Sequence, residues 1–246
     1  MDALELVLAT PTGRLTALHW PKPGAPRLIC LHGWLDNAAS FIPLAGHLPD
    51  FDMVALDFAG HGLSDHRPKG ARYYMTDNLW DLDGALDALG WDRCSVLGHS
   101  LGGVVGCIYA ATAPARVSRL AVLDGLGPPA SSPDSAVDRL RRSLDSVRRP
   151  RNGPRPYDTV DEAVCARVRA SGLPETVARL LCLRALERQN GQFRWRTDPG
   201  LNWVSPSALT EAQVLNILEN ISMPVLLISA LPLSEWVTPE VVEQRL

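Results

Sequence analysis

Residues Gly98-His99-Ser100-Leu101-Gly102-Gly103 constrain this chain more than any other stretch. They contain G-x-S-x-G directly after a short apolar run at 94–97. Leu101, Val104, Val105 and Ile108 then recur at helical spacing. The expected order is strand, sharp turn, helix. Cβ atoms in so tight a turn would crowd the neighbouring backbone, and the glycines at 98, 102 and 103 remove them. The Ser100 hydroxyl is expected to stand clear of the sheet at the head of the following helix.

The rest of the chain supplies layers around that turn. Leu4, Leu6 and Leu8 alternate, Pro11-Thr12-Gly13 interrupts, and an apolar run resumes at 15–20, which predicts a β-hairpin. Short apolar strands are expected at 27–31, 53–56 and 120–123. Helices are marked by Phe41, Leu44, Ala45 and Leu48, and by Leu79, Leu82, Leu86 and Leu89. Such alternation predicts an α/β fold, a mostly parallel sheet with helices on both faces.

From Pro128 the pattern turns helical. Thr159 with Glu162 reads as a capping box, Pro174 reads as a first helical residue, and Thr210 with Gln213 opens a further helix. Between them, Phe193-Arg194-Trp195-Arg196 and Asp198-Pro199-Gly200 predict a turn with short extended arms. The sheet resumes at 224–230, and Thr238-Pro239-Glu240 opens a last helix. Residues 1–127 and 207–246 are therefore expected to form the core, with 128–206 inserted as a helical cap. Charge follows the same division: the three segments 1–127, 128–206 and 207–246 carry −4, +5 and −4.

A 246-residue chain that is 46% hydrophobic suits one domain with an insertion. A net charge of −3 gives no general reason to expect nucleic acid. No apolar run approaches the ~20 residues that span a bilayer, and no basic-then-apolar leader opens the chain, so the expectation is a cytoplasmic protein. The five cysteines form no C-x-x-C pair and no metal-ligand spacing. They are expected to be buried, inert thiols, with no metal and no cofactor. Seven arginines between 139 and 155 read as the solvated face of a helix and its loop; the sharper alternative is recognition of an acidic acyl substrate.

A serine hydroxyl is a weak nucleophile until a base takes its proton. The last of the six histidines is His99, and the 147 residues beyond it hold none. Three stretches in order, His32-Gly33-Trp34-Leu35-Asp36-Asn37, Asp57-Phe58-Ala59-Gly60-His61-Gly62-Leu63-Ser64 and the Ser100 turn, resemble the α/β-hydrolase fold family, within it the serine hydrolase-like proteins. The resemblance implies Ser100 as nucleophile and the amides of Leu101 and Trp34 as an oxyanion hole. His32, His61 and Asp57 are implied to be structural. Asp124, at a strand end, is the favoured triad acid, against a plain turn role; Glu235 is the other candidate.

The same resemblance implies a helical cap and a small-molecule acyl or ester substrate. It also implies a last strand, a histidine-bearing loop and a final helix that this chain lacks. The expectation is a truncated serine hydrolase, slow on its own; the alternative is a catalytically inactive binding or scaffold protein. Dehalogenase and epoxide-hydrolase chemistry is disfavoured, because those enzymes carry aspartate where Ser100 stands. Oligomeric state is left open.

Overall fold

The computed structural model describes residues 3–148, 155–231 and 237–245. The opening hairpin pairs β1 (Leu4–Thr10) with β2 (Gly13–Trp20). Then come β3 (Arg27–Leu31), α1 (Ile42–Ala45), β4 (Asp52–Asp57) and α2 (Asp77–Ala88). They are followed by β5 (Cys94–His99), α3 (Leu101–Thr112) and β6 (Val117–Leu123). The sheet takes up one later strand, β9 (Val225–Ile228), giving the order β1-β2-β4-β3-β5-β6-β9. β1 and β2 run antiparallel to their neighbours, while β4, β3, β5, β6 and β9 are mutually parallel.

Side-chain alternation along the inner strands builds two cores. On β3, Ile29 and Leu31 face one side and Leu28 and Cys30 the other; on β4, Val54 and Leu56 oppose Met53 and Ala55. The first face packs on Leu82, Ala85 and Leu86 of α2 and Val105 and Tyr109 of α3. The second packs on Ala38, Phe41, Leu44 and Ala45. The helix expected over 41–48 is a 3-10 turn at Ala38–Phe41 joined to the four-residue α1. Asn37 starts the turn by accepting the Ala39 N–H, Pro43 suits the first turn of α1, and Gly46 caps its end.

Between β6 and β9 lie α4 (Ala136–Arg148), α5 (Val160–Ser171), α6 (Glu175–Ala185), β7 (Leu186–Gln189), β8 (Gln192–Trp195) and α7 (Glu211–Glu219). Pro174 caps α6 rather than opening it. Thr210 and Gln213 form a complete capping box, whereas Glu162 reaches one residue further back, to the Asp158 N–H. α5 and α6 enclose a small core of Val164, Ala178 and Cys182. The segment is not purely helical: β7 and β8 form a hairpin whose turn is Asn190-Gly191, both at positive φ. α8 (Pro239–Arg245) returns to the core through Arg245, which pairs with Glu211 and donates to the carbonyls of Leu126 and Pro128. Cys30, Cys94, Cys107 and Cys182 are buried; Cys165 is exposed, against expectation, because it lies on the outer face of α5.

Candidate active site

The turn between β5 and α3 is as tight as its glycines require. A Cβ on Gly98 would lie 2.2 Å from the Gly102 carbonyl oxygen, and one on Gly102 would lie 2.0 Å from that of Leu31. Ser100 sits between them at φ 48° and ψ −113°, a region that costs a non-glycine residue about 1–3 kcal/mol. It is held there by its N–H to the Leu123 carbonyl at 2.9 Å, while the Val104 N–H closes on its carbonyl at 3.0 Å. Ser100 is half-buried at the N-terminus of α3. The Leu101 N–H, first in that helix, has no hydrogen-bond partner among the described residues.

The loop after β3 crosses beside this turn. Gly33 to Asp36 close a turn through the Asp36 N–H and the Gly33 carbonyl at 3.1 Å, with Leu35 at φ 61°. The Trp34 N–H is likewise without a partner among the described residues, and the Trp34 ring is half exposed. Both amides expected at an oxyanion hole are therefore unspent.

Asp124, directly after β6, has φ 52° and continues the ladder by donating its N–H to the Ile228 carbonyl at 2.8 Å. A Cβ on the next residue, Gly125, would lie 3.3 Å from the Ser100 carbonyl oxygen, so this strand end abuts the serine turn. The Asp124 Oδ1 is buried and has no hydrogen-bond partner among the described residues. Glu235 lies outside the described residues.

The histidines near the site are accounted for. His32 is buried, with Nδ1 on the Gly33 carbonyl at 2.7 Å and Nε2 accepting the Phe58 N–H at 3.1 Å. His61 repeats the pattern with the Ala59 carbonyl at 3.1 Å and the Leu35 N–H at 3.2 Å. Each ring accepts a backbone N–H at Nε2, which fixes the neutral tautomer with its proton on Nδ1. Burial pushes His32 down to about 4 and His61 to about 3. His99 turns its Nδ1 away along the β3 loop, 4.0 Å from Asp36.

Asp57 is fully buried and organises the loops. Its carboxylate accepts the Ala38 N–H at 2.7 Å, the Leu63 N–H at 3.0 Å and the Thr16 hydroxyl at 2.8 Å. It also takes Arg184 of α6, which forks onward to both carboxylate oxygens of Glu5. Two further side chains tie the β3 loop to the inserted helices. Asp36 pairs with Arg167 of α5, and Asn37 donates to the Leu181 carbonyl of α6 at 3.0 Å. Burial raises the Asp36 carboxyl pKa, and Arg167 and His99 oppose that rise. Asp36 and Asn37 stand in the His-Gly-Trp stretch, yet their partners lie more than a hundred residues on, beyond any short-range signal.

Comparison with known proteins agrees with this architecture. Residues 26–240 match the alpha/beta hydrolase fold family. The human "Serine hydrolase-like protein" is 48% identical over 121 residues, 49% of this chain. That match spans 60% of the human protein, and the match to human "Serine hydrolase-like protein 2" spans 38% of its length. The zebrafish (Danio rerio) "Serine hydrolase-like protein" is 31% identical over 236 residues, covering 93% of this chain and 72% of the relative. Among solved structures, hypothetical protein PA1622 from Pseudomonas aeruginosa PAO1 is 38% identical with a TM-score of 0.89, covering 98% of this chain and 86% of its own. A thioesterase domain from the curacin biosynthetic pathway, 24% identical with a TM-score of 0.86, covers 100% of this chain and 88% of its own, and shares the fold. With its strand order, its serine turn and a family match across most of its length, the chain belongs to the α/β-hydrolase fold family.

Proposed function

We propose that this chain carries the nucleophile of a serine hydrolase that cleaves a small carboxylic ester or related acyl compound. The observation that carries this reading is the Ser100 turn itself. A serine is held at φ 48° at the head of a helix, half accessible, beside two unpartnered amides. Ser100 Oγ attacks the substrate carbonyl carbon and forms a C–O bond. The amides of Leu101 and Trp34 take the negative oxygen that develops, aided at Leu101 by the helix dipole. Collapse expels the alcohol or other leaving group and leaves an acyl-serine, which water then hydrolyses.

The attacking hydroxyl must lose a proton, and the leaving group must gain one. We assign that exchange to a histidine that is not one of the six in these 246 residues. His32 and His61 are locked in buried backbone contacts, and His99 faces Asp36. Asp124 is the proposed acid. Its orphaned Oδ1, beside the serine turn, is suited to accept an imidazole N–H. Residues 128–206 are proposed as the cap above this cleft.

A fluorophosphonate probe tests the reading. With exogenous imidazole standing in for the absent base and incubation over hours, one adduct on the Ser100 peptide, absent from Ser100→Ala, is expected by intact and peptide mass spectrometry. No adduct on the folded chain would favour a binding or scaffold role instead. Without its base the chain is expected to hydrolyse p-nitrophenyl acetate far below ordinary enzyme rates, since removing the base from a serine-protease triad costs on the order of a millionfold in kcat. Fast turnover abolished by Ser100→Ala would mean that a base is present after all.

A further inference from the structure

The cap reaches into the proposed oxyanion hole through one charged pair. The Trp34 amide sits in the turn Gly33 to Asp36, and the last residue of that turn, Asp36, is paired with Arg167 of α5. Both side chains are mostly buried, 14% and 21% exposed, so solvent screens the attraction little. The pair is single-pronged: one Nη meets Asp36 Oδ1, while the Arg167 Nε is buried without a hydrogen-bond partner among the described residues. Asp36 Oδ2 faces His99, the residue before Ser100, at 4.0 Å. The space between is tight: a Cβ on Gly33 would lie 2.9 Å from the His99 Nδ1 and 3.3 Å from Asp36 Oδ2. The next residue, Asn37, is tied to α6.

One carboxylate thus touches three parts of the site: the turn bearing the Trp34 amide, the strand end bearing Ser100, and the cap. We infer that Asp36 and Arg167 are positioning residues, which set the Trp34 amide relative to Ser100 and make the oxyanion hole depend on where α5 sits. Neither touches the reacting atoms. An oxyanion donor works only where the oxygen will be, so a shift of about 1 Å in the Trp34 turn costs up to ~100-fold in rate.

This inference rests on the roles proposed above for Ser100 and Trp34, and its test separates the two. Phosphonylation of Ser100 by a fluorophosphonate is measured on the intact chain, with exogenous imidazole at one fixed concentration in place of the absent base, and resolved into a saturating rate and a half-saturating concentration. The variants are Arg167→Ala, Asp36→Asn, their combination and Arg167→Lys, each followed also by the Trp34 and Leu35 amide resonances. Arg167→Ala and Asp36→Asn are each expected to lower the saturating rate about ten- to a hundredfold, with the half-saturating concentration unchanged. The combined variant is expected to be no slower than the slower single, because the two act as one unit. Arg167→Lys, which keeps the charge, recovers part of the rate. In the deficient variants the Trp34 and Leu35 resonances move.

Labelling of every variant at the wild-type rate, or multiplied losses in the combined variant, would overturn the inference. If the wild-type chain takes no label, the serine reading fails. The amide resonances then decide this one alone: moved supports it, unmoved overturns it. Should Arg167→Ala not fold, the near-isosteric Asp36→Asn and the charge-keeping Arg167→Lys carry the same readouts.

Discussion

Ser100 holds a backbone conformation that a serine adopts only when its surroundings insist. The insistence comes from Gly98 and Gly102, whose missing Cβ atoms leave space for two carbonyl oxygens. Gly98→Ala is therefore expected to destabilise the fold by roughly 1–3 kcal/mol or more, through backbone displacement at the turn. Urea unfolding measures this, and a wild-type midpoint would show the turn to be looser than described. His32 and His61 predict a pH response of definite sign. Both are held neutral, at about 4 and about 3, against the usual 6.5. Between about pH 6.5 and 4 the unfolded chain binds more protons than the folded one, so stability falls as pH falls, by up to roughly 1.4 kcal/mol per pH unit per histidine. Unfolding midpoints across pH 4–7 check it: His32→Asn should flatten the slope, and an unchanged slope would refute the assignment.

At the scale of elements, the inserted segment is tied to the sheet by few but deep contacts. Arg184 of α6, 8% exposed, spans Asp57 and Glu5. Arg184→Met leaves the Asp57 carboxylate buried without its cation and is expected to cost about 3–5 kcal/mol in chemical denaturation. α4 behaves oppositely. It turns Ser143 and Ser146 inward, toward Arg72 and the Val204 N–H. Val137, Leu140 and Leu144, 50–58% exposed, line its open side. Leu140→Gln and Leu144→Gln should each change stability by less than about 0.5 kcal/mol in the same assay. A loss of several times that would mean this stripe is covered in solution.

Across the whole molecule, the legible features were those that local physics writes into the chain. The continuous apolar runs at residues 28–31 and 53–56 announce strands buried on both faces, and the structure divides those residues between two cores. The serine turn was legible because steric crowding demands glycine at fixed positions around it. The 3-10 turn at Ala38–Phe41 was not, since its start depends on the Asn37 side chain rather than on apolar spacing. The β7–β8 hairpin was placed a few residues late because Trp195 and Phe193 outweighed Asn190-Gly191, the actual reversal. Arg167 and Arg184 stand in no motif; only the tertiary fold brings them to Asp36 and Asp57, across 131 and 127 positions of sequence.

The double anchoring of α6 has a consequence for traffic. Arg184 grips Asp57 and Glu5, and the Leu181 carbonyl takes the Asn37 amide. Lifting this helix like a hinged door would strip a buried carboxylate of its counter-charge and an amide of its acceptor in a single motion. Any opening toward Ser100 that leaves α6 in place avoids both losses.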